Sequence, residues 1–482
     1  MQREGCDNSF MKVLFIVPPE ETYIGASSHK SIDYKREHRP RLGIMSVATY
    51  LRQNRQDVEV RFLDCIALEM NFSDLEREIL DFKPHLAGIT CLTFTYIDCL
   101  RTASIIKLAS PETKVCLGGF HVTLYPEETL SQKDVDIVIC GEGEQSMLDL
   151  VNCLDKGAPE KADISGLGFK ENGVLFVNKD RPTMKNLEDV PFPDYDLVNI
   201  NRYSHVLAGG DINLAIESSR GCPFGCIFCD IRHSSFRYRS AVAIVDEIER
   251  LMAKGVRSFF TVDDNLTVNK KRVIKICELI VKRKLKIDFK VSSRVDTVNE
   301  EVLYHLKQAG CSKLSIGLES SNQKYLDFLG KNITVENIIE TIQTAHKVGL
   351  PVFAYVMFGL PDQTREEMME EVEFLKRYKV EYASFSICTI YPKTLLYYQC
   401  LENGHITHDP WPEFARNPRN DVKIPFASNI YSPEELRAIQ LAATRRFYFR
   451  PGSIVMHLKS INSWHAFFQK AKLGLRFMGI SK

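Results

Sequence analysis

Residues 220–229 read Arg-Gly-Cys-Pro-Phe-Gly-Cys-Ile-Phe-Cys, which places three cysteines, Cys222, Cys226 and Cys229, four and three residues apart. The stretch follows residues 213–219, whose pattern is typical of a buried strand. Cysteine thiolates hold iron–sulfur clusters, and a tight loop with glycine and proline lets three of them face one cubane. Because three ligands leave one iron open, the stretch predicts a 4Fe-4S cluster with a free coordination position.

Two other interpretations of these cysteines remain open. They could form a structural zinc site that lacks its fourth ligand, or they could be three unrelated buried thiols. Zinc sites normally use paired C-x-x-C modules far apart in the sequence, and this sequence has no second pair. The spacing therefore favours the iron–sulfur cluster.

On the carboxyl-terminal side of the cysteine loop, strand-like and helical patterns alternate through the middle of the chain. Six βα units are too few for a complete eight-stranded barrel, so the pattern predicts a partial (β/α)6 barrel over residues 211–395. The chemistry of such a barrel lies at the carboxyl ends of its strands. The predicted strands are residues 213–219, 258–264, 288–295, 313–319, 351–358 and 382–390.

The amino-terminal part shows a second alternation of strands and helices. It predicts an α/β domain with a doubly wound, Rossmann-like sheet over residues 11–152, after a tail of residues 1–10. Residues 153–210 are expected to form a linker with a small hairpin at Asn172-Gly173, and residues 396–482 a basic, mainly helical appendage. The predicted strands are Met11–Val17, Val58–Leu63, Leu86–Thr90, Lys114–Leu117 and Ile137–Cys140.

Composition restricts the class of protein. Lysine plus arginine and aspartate plus glutamate each total 62, so the formal charge is zero and nothing indicates a nucleic-acid partner. The 14 cysteines are scattered through apolar runs, as reduced thiols would be, and show no secreted disulfide framework. No run of about eighteen uncharged apolar residues indicates a membrane span. We therefore expect a cytoplasmic protein.

The cysteine loop after the first strand of a partial barrel closely resembles that of the radical S-adenosylmethionine (SAM) superfamily. The resemblance covers about residues 211–395. It implies that the amino and carboxylate groups of SAM bind the open iron. It also implies that an electron from a donor such as flavodoxin or ferredoxin cleaves SAM to a 5′-deoxyadenosyl radical.

The resemblance assigns SAM-binding residues to the ends of successive strands. Phe228 is expected to pack against the adenine, and Arg294 to lie near the SAM carboxylate and ribose. Charged residues at strand ends are commonly solvated or cap the next helix, but their repetition at the same end of successive strands favours SAM binding. The residues implied are Phe228, Asp263, Asp264, Asn265, Ser293, Arg294 and Glu319.

Two short motifs depart from the pattern of the superfamily. Residues 359–364 read Gly-Leu-Pro-Asp-Gln-Thr, with Asp362 and Gln363 where the usual sequence has glycine and glutamate. Residues 391–394 read Tyr-Pro-Lys-Thr, with Lys393 where relatives often carry glycine. Both departures put the substrate contacts of the sixth strand in doubt.

The first domain lacks a G-x-G-x-x-G turn and a G-x-x-x-x-G-K-[ST] loop, so nicotinamide and nucleoside triphosphates are poor candidates. Residues 11–150 resemble the cobalamin-binding domain that precedes many radical SAM barrels. The D-x-H-x-x-G motif that supplies an axial histidine is absent, so His121 is expected to shape its loop rather than bind cobalt. A domain that has lost the cofactor is the alternative. The resemblance implies contacts by Leu42, Gly43, Thr90, Gly118, Gly119, His121, Val122, Gly141, Glu142, Gly143 and Glu144.

Together the two resemblances imply a reaction. A 5′-deoxyadenosyl radical would remove hydrogen from an unactivated carbon of a small-molecule or lipid substrate, and methylcobalamin would methylate that carbon. Oxidative cyclisation or ring rearrangement is the alternative within the same chemistry. A non-catalytic iron–sulfur sensor or binding protein is the alternative of another class, although it would have no use for SAM-binding residues.

The carboxyl-terminal residues offer a hint about the substrate. Trp464, Phe467 and Phe468 lie among lysines and arginines, a composition that can bind the headgroup layer of an anionic bilayer. The alternative is an amphipathic helix packed on the barrel. Peripheral contact with the inner face of the membrane would make a lipid substrate more plausible.

Overall fold

Two sheets form the framework of the protein, one built from residues 11–177 and the other from residues 213–387. The architecture is that of a computed structural model, which describes residues 10–22, 24–25, 39–203 and 212–453. Apart from Phe10, the predicted tail lies outside these ranges. The alternation of strands and helices in the sequence is confirmed, and the fold is α/β.

The first sheet has the order β2-β1-β3-β4-β5-β6-β7, and its first five strands are parallel. Strand β1, between β2 and β3, is buried on both faces, with Val13 and Phe15 in one apolar cluster and Leu14 and Ile16 in another. Helices cover both faces, as a doubly wound sheet requires. The strands are β1 (Met11–Val17), β2 (Val58–Asp64), β3 (Leu86–Thr90), β4 (Lys114–Gly118), β5 (Ile137–Ile139), β6 (Leu167–Glu171) and β7 (Val174–Val177). The helices are α1 (Leu42–Asn54), α2 (Phe72–Phe82), α3 (Tyr96–Ala109), α4 (Phe120–Leu124), α5 (Pro126–Ser131) and α6 (Glu144–Lys156).

The predicted hairpin at Asn172-Gly173 is present, but it is not part of a separate linker. Strand β6 pairs antiparallel with β5, with Leu167 opposite Ile139, so the sheet continues to Val177. The first sheet therefore extends beyond residue 152, and the domain boundaries stay predictions. The turn follows from local chemistry, because Asn172 and Gly173 adopt the positive φ values, 50° and 78°, that a two-residue hairpin turn needs.

The second sheet is the predicted partial barrel, with six parallel strands in the order β15-β14-β13-β12-β11-β8. Its strands and the short ribbon that precedes β11 are β8 (Asn213–Ile216), β9 (Ser219–Arg220), β10 (Arg237–Tyr238), β11 (Ser258–Thr261), β12 (Asp288–Ser293), β13 (Cys311–Glu319), β14 (Val352–Phe358) and β15 (Tyr382–Ile387). Its helices are α7 (Ala241–Ala253), α8 (Lys270–Lys282), α9 (Glu300–Gln308), α10 (Gln323–Phe328), α11 (Val335–Lys347), α12 (Arg365–Arg377) and α13 (Leu395–Glu402). The antiparallel ribbon of β9 and β10 brackets the cysteine loop.

The carboxyl-terminal helices α14 (Pro410–Arg416) and α15 (Pro433–Tyr448) pack on both sheets. Side chains of α15 satisfy backbone groups of the edge strand β15, since Gln440 donates to the Phe385 carbonyl across 2.7 Å and the Tyr448 hydroxyl donates to the Ala383 carbonyl across 2.7 Å. Helix α14 meets the first domain, where the Tyr96 hydroxyl donates to the Ala415 carbonyl across 3.3 Å. The appendage therefore joins the two sheets.

The basic aromatic segment with Trp464, Phe467 and Phe468 lies outside the described residues. Its predicted membrane contact stays a prediction. Within the described ranges, we find no helix that is both long and apolar enough to cross a bilayer.

Candidate cofactor site

The cysteine loop runs between β9 and β10 and is anchored at several points. The Gly221 amide donates to Asp264 Oδ2 across 2.9 Å, and the Cys222 amide donates to Ser234 Oγ across 2.8 Å. Gly221 has a φ of +86°, and a Cβ there would lie 2.2 Å from the Ser235 carbonyl oxygen, so only glycine fits. The local sequence therefore holds the loop in one shape.

The three thiols suit a cluster. Cys222 and Cys229 are partly exposed, while Cys226 is buried. Burial raises the pKa of Cys229 to about 12, so its thiolate depends on a bound metal for stabilisation. Among the described residues, no three His, Cys, Asp or Glu side chains are close enough to hold one metal ion. A cubane instead takes one thiolate on each of three irons, and three thiols on one loop match that requirement.

The two aspartates after β11 support the base of the loop. Asp263 Oδ1 accepts hydrogen bonds from the Ser218 amide (2.9 Å), the Ser218 hydroxyl (2.8 Å) and the Ser219 hydroxyl (2.7 Å). Asp264 accepts from Gly221, as noted above. Burial raises the pKa of both carboxyl groups. Asp263 Oδ2 is buried and has no hydrogen-bond partner among the described residues, so one acceptor remains for a ligand.

Asn265 and Ser293 belong to one buried hydroxyl network. The Thr267 hydroxyl lies 2.9 Å from Asn265 Oδ1, 2.5 Å from the Ser293 hydroxyl and 2.6 Å from the Thr297 hydroxyl. The Nδ2 amide of Asn265 is buried without a partner in the described part of the chain. Because buried unpaired polar atoms are rare, Asn265 Nδ2 and Asp263 Oδ2 fit the polar groups of a ligand such as SAM.

The structure places Arg294 on the cysteine loop. Arg294 Nη1 lies 3.2 Å from Cys226 Sγ, and the guanidinium lies 4.0 Å from the centre of the Phe224 ring. The sequence had suggested a contact with the SAM carboxylate or ribose, which stays a prediction. Phe228 packs partly buried against an apolar cluster that includes Ile227.

Glu319, at the end of β13, is bound by a lysine that sequence reasoning missed. Glu319 Oε1 lies 3.0 Å from Lys331 Nζ, which also donates to the Gly317 carbonyl across 2.6 Å. Lys331 is buried, with an exposed fraction of 3%. It lies in a turn between α10 and α11, where no motif or periodicity pointed to it.

In the first domain, the glycines that resemble a cobalamin site line the carboxyl end of the sheet. A Cβ added at Gly43 or Gly141 would meet no described atom within 4 Å, which leaves room for a ligand. At Gly119, φ is +113° and a Cβ would lie 2.6 Å from the Cys91 carbonyl oxygen, so the loop itself requires glycine. Open space beside the backbone fits the approach of a large cofactor.

Several other predicted cobalamin residues lie inside the domain. His121 is fully buried, its ring centre is 3.9 Å from that of Tyr96, and its Nδ1 is 3.2 Å from the Thr93 hydroxyl. Burial lowers the pKa of His121 to about 3, so the ring is neutral. This position suits a histidine that shapes its loop. Val122 and Leu42 are also buried, while Thr90 and Gly118 are half-buried at the strand ends.

Glu142 and Glu144 were predicted to contact cobalamin. In the structure their carboxylates form ion pairs with arginines of the barrel domain. Glu144 Oε1 lies 2.9 Å from Arg220 Nη2, and Glu142 Oε1 lies 2.7 Å from Arg237 Nη2. Burial alone lowers the pKa of Arg220, but Glu144, Glu217 and Glu142 outweigh this effect and raise it. Arg220 immediately precedes the cysteine loop. A contact of residues 141–144 with cobalamin stays a prediction.

Both departures from the superfamily motifs occupy left-handed backbone positions, which explains why glycine is usual there. Asp362 has a φ of 56° and exchanges two hydrogen bonds with Asn429, at 2.8 Å and 2.7 Å. Lys393 has a φ of 60°, donates to the Leu124 carbonyl and lies 4.7 Å from the centre of the Tyr125 ring. These contacts with other parts of the chain compensate for the cost of the conformation.

Comparison with known proteins agrees with this geometry. Residues 216–375 match the model of the radical SAM superfamily, and residues 37–151 match that of the B12 binding domain. The chain is 33% identical over 470 residues to an uncharacterized methyltransferase of Pyrococcus horikoshii, covering 95% of this chain and 96% of that protein. It is 27% identical to the anaerobic magnesium-protoporphyrin IX monomethyl ester cyclase of Rubrivivax gelatinosus, covering 79% of this chain and 68% of that protein.

The fold is also similar to a solved structure, that of the radical S-adenosylmethionine methyltransferase TsrM from Kitasatospora setae with cobalamin and a 4Fe-4S cluster bound. The TM-score is 0.74 at 15% identity, and the match covers 98% of this chain and 100% of that chain. The fold and the cysteine loop define a radical SAM enzyme. More particularly, the chain belongs to the cobalamin-dependent radical SAM methyltransferase family, whose cofactors are a 4Fe-4S cluster, SAM and cobalamin.

Proposed function

We propose that this protein methylates an unactivated carbon of a small-molecule or lipid substrate. The observation that carries the proposal is the pairing of Glu144 with Arg220 at 2.9 Å. This ion pair joins the first residue of α6, at the carboxyl end of the first sheet, to the residue that precedes the cysteine loop. A methyl donor and a radical generator must both reach one substrate, and adjacent cofactor sites meet that requirement.

When bound, the cluster with SAM supplies a 5′-deoxyadenosyl radical, and cobalamin supplies the methyl group. The residues of the chain have positioning roles. Asp263 and Asp264 hold the base of the cysteine loop, and Glu142 and Glu144 hold the two domains together. In cofactor enzymes of this kind, the protein orients the reacting groups and excludes water. A flavodoxin or ferredoxin is the expected electron donor.

Oxidative cyclisation is a second candidate. The 27% identity to the cyclase of Rubrivivax gelatinosus over 79% of this chain supports it. Both reactions need the two cofactor sites to be adjacent, and the 33% identity to a methyltransferase over 95% of this chain is what favours methyl transfer. The two reactions differ in the fate of SAM, because methyl transfer consumes a second SAM and releases S-adenosylhomocysteine.

The test uses protein reconstituted anaerobically with iron, sulfide and hydroxocobalamin. It is incubated with reductant and SAM labelled in the methyl group, together with a small-molecule and lipid extract as the substrate source. We expect 5′-deoxyadenosine, S-adenosylhomocysteine and at least one labelled product. Formation of 5′-deoxyadenosine without S-adenosylhomocysteine or label would overturn methyl transfer in favour of cyclisation or rearrangement. Cys222→Ala serves as the control that should make no 5′-deoxyadenosine.

A further inference from the structure

Arg294 is in direct contact with one of the cysteines that hold the cluster. Its Nη1 donates to Cys226 Sγ across 3.2 Å, and the residue is buried, with 8% of its surface exposed. The ring of Phe224, which belongs to the same loop, lies 4.0 Å below the guanidinium. A fixed positive charge therefore sits against a cluster ligand rather than in solvent.

The guanidinium is held by two further groups. Asp296 accepts from Nε and Nη2, both at 2.9 Å, and the Lys331 carbonyl accepts from Nη2 at 2.5 Å. A bidentate arginine–carboxylate pair fixes direction as well as distance. The remaining nitrogen, Nη1, is thereby aimed at Cys226.

Such a contact affects the reduction of the cluster. Reduction adds one electron to the oxidised 4Fe-4S cluster, supplied by a low-potential one-electron donor of the flavodoxin or ferredoxin class. Hydrogen bonds to cluster sulfurs and nearby positive charge stabilise the more negative, reduced form, and burial strengthens the effect because screening is weak. We propose that Arg294 raises the reduction potential of the cluster through its hydrogen bond to Cys226.

This inference rests on the cluster and not on the outcome of the reaction. It holds whether the enzyme methylates or cyclises its substrate, so the failure of one proposal is distinguishable from the failure of the other. It also differs from a contact between Arg294 and SAM, because the effect on the potential is present without SAM.

The experiment is an EPR-monitored redox titration of the reconstituted holoenzyme without SAM. For Arg294→Gln we expect the ratio of reduced to oxidised cluster at a fixed potential to fall at least tenfold, a shift of about 59 mV to more negative potential for one electron. For Asp296→Asn we expect a shift to more positive potential. The guanidinium then loses its counter-charge, while Phe224 and the Lys331 carbonyl still hold it in place.

Opposite shifts distinguish an electrostatic role from general damage to the loop, which would move both potentials in the same direction. Arg55 provides a matched control, because it is buried and makes the same fork with Asp57 two residues later, at 2.7 Å and 2.9 Å, in the first domain. Arg55→Gln should leave the potential unchanged.

Unchanged potentials in the two test variants, or shifts in the same direction, would overturn the proposal. If Arg294→Gln does not retain about four irons per chain, the reduction potential of Asp296→Asn is the only test of the proposal. A positive shift then supports the role of Arg294, and no shift or a negative shift overturns it.

Discussion

The carboxyl ends of the two sheets, where cofactors are expected to bind, differ in the kinds of residue that they carry. The first sheet offers glycines, and at Gly43 and Gly141 no atom of the described residues lies within 4 Å of the position a Cβ would take. The barrel offers charged side chains that already have partners, such as Asp264 with Gly221 and Arg294 with Cys226. Glycines without neighbouring side chains allow a large ligand to approach the backbone of the first sheet. In the barrel, existing hydrogen bonds fix the position of the loop that is expected to hold a small reactive cofactor. The difference predicts how each end responds to substitution.

The largest expected effect is at the cysteine loop. Cys226→Ala should abolish the binding of about four irons per chain and with it all formation of 5′-deoxyadenosine, because a cubane needs all three thiolates. Iron analysis and the visible spectrum of reconstituted protein give the answer. Cys311→Ala, which removes a buried thiol of β13, should keep its iron. An iron content of Cys226→Ala equal to that of the wild type would contradict the cluster assignment.

The barrel end should lose stability as the pH rises. Glu371 accepts from the Ser321 amide, two residues after Glu319, across 2.7 Å, and burial raises the pKa of its carboxyl to about 7 from the ordinary 4.5. The folded state therefore holds a proton that the unfolded state releases, so stability falls between pH 4.5 and 7, by about 3 kcal/mol at most. Glu371→Gln should flatten this profile in denaturant unfolding followed by hydrogen exchange of barrel peptides. A profile identical to that of the wild type would refute the assignment.

The first domain should show the opposite dependence. The pKa of His121 is lowered by burial to about 3 from the ordinary 6.5, so the unfolded state binds the proton more readily. Stability is then complete above pH 6.5 and declines as the pH falls, by about 2 kcal/mol at pH 5. His121→Phe, which suits the neighbouring rings of Tyr96 and Phe414, should remove the acid sensitivity. Hydrogen exchange of peptides from α3 and α4 is the measurement, and equal acid sensitivity in the variant would contradict the prediction.

The ion pair between the two ends should contribute less. Glu144→Gln keeps the shape of the side chain but removes its charge, and Arg220 retains Glu142 and Glu217. We expect the free energy of unfolding to fall by about 1–2 kcal/mol, with coupling in a double-mutant cycle with Arg220→Met. Glu21→Gln, which affects an exposed pair with Arg101, should cost less than about 1 kcal/mol. Additive effects of Glu144 and Arg220 would show that the pair does not hold the domains together.

The smallest expected effect concerns Gly43. Gly43→Leu should lower cobalamin affinity about tenfold, or about 1.4 kcal/mol, by occupying the open space. It should also stabilise α1 by up to about 1 kcal/mol, since glycine is unfavourable in a helix. Gly43→Ala should keep most of the stability gain with a smaller loss of affinity. Equilibrium binding of hydroxocobalamin and thermal unfolding test both effects, and unchanged affinity in Gly43→Leu would place the cofactor elsewhere.

Much of the fold could be predicted because it depends on local patterns. Strands β1 and β3 have the predicted bounds, and the turn at Asn172-Gly173 forms because those two residues tolerate positive φ. The strand with which that hairpin pairs could not be predicted. Pairing between β6 and β5 depends on the tertiary fold, which brings the hairpin to the edge of the first sheet. Similarly, the glycine-to-aspartate change at 362 was visible, but its compensation by Asn429 was not.

By itself, the sequence determined the class of the protein and predicted the three cysteines that hold the cluster. The spacing of Cys222, Cys226 and Cys229 lies within one short loop, so the chemistry needs no distant partner. Only the tertiary structure decided what surrounds that loop. Glu144 lies 76 residues before Arg220 in the chain and 2.9 Å from it in the structure, and Lys331 reaches Glu319 at 3.0 Å from a turn beyond α10. A buried charged side chain pairs with the opposite charge that the packing of the two sheets places next to it. No periodicity in the sequence predicts which residue that will be.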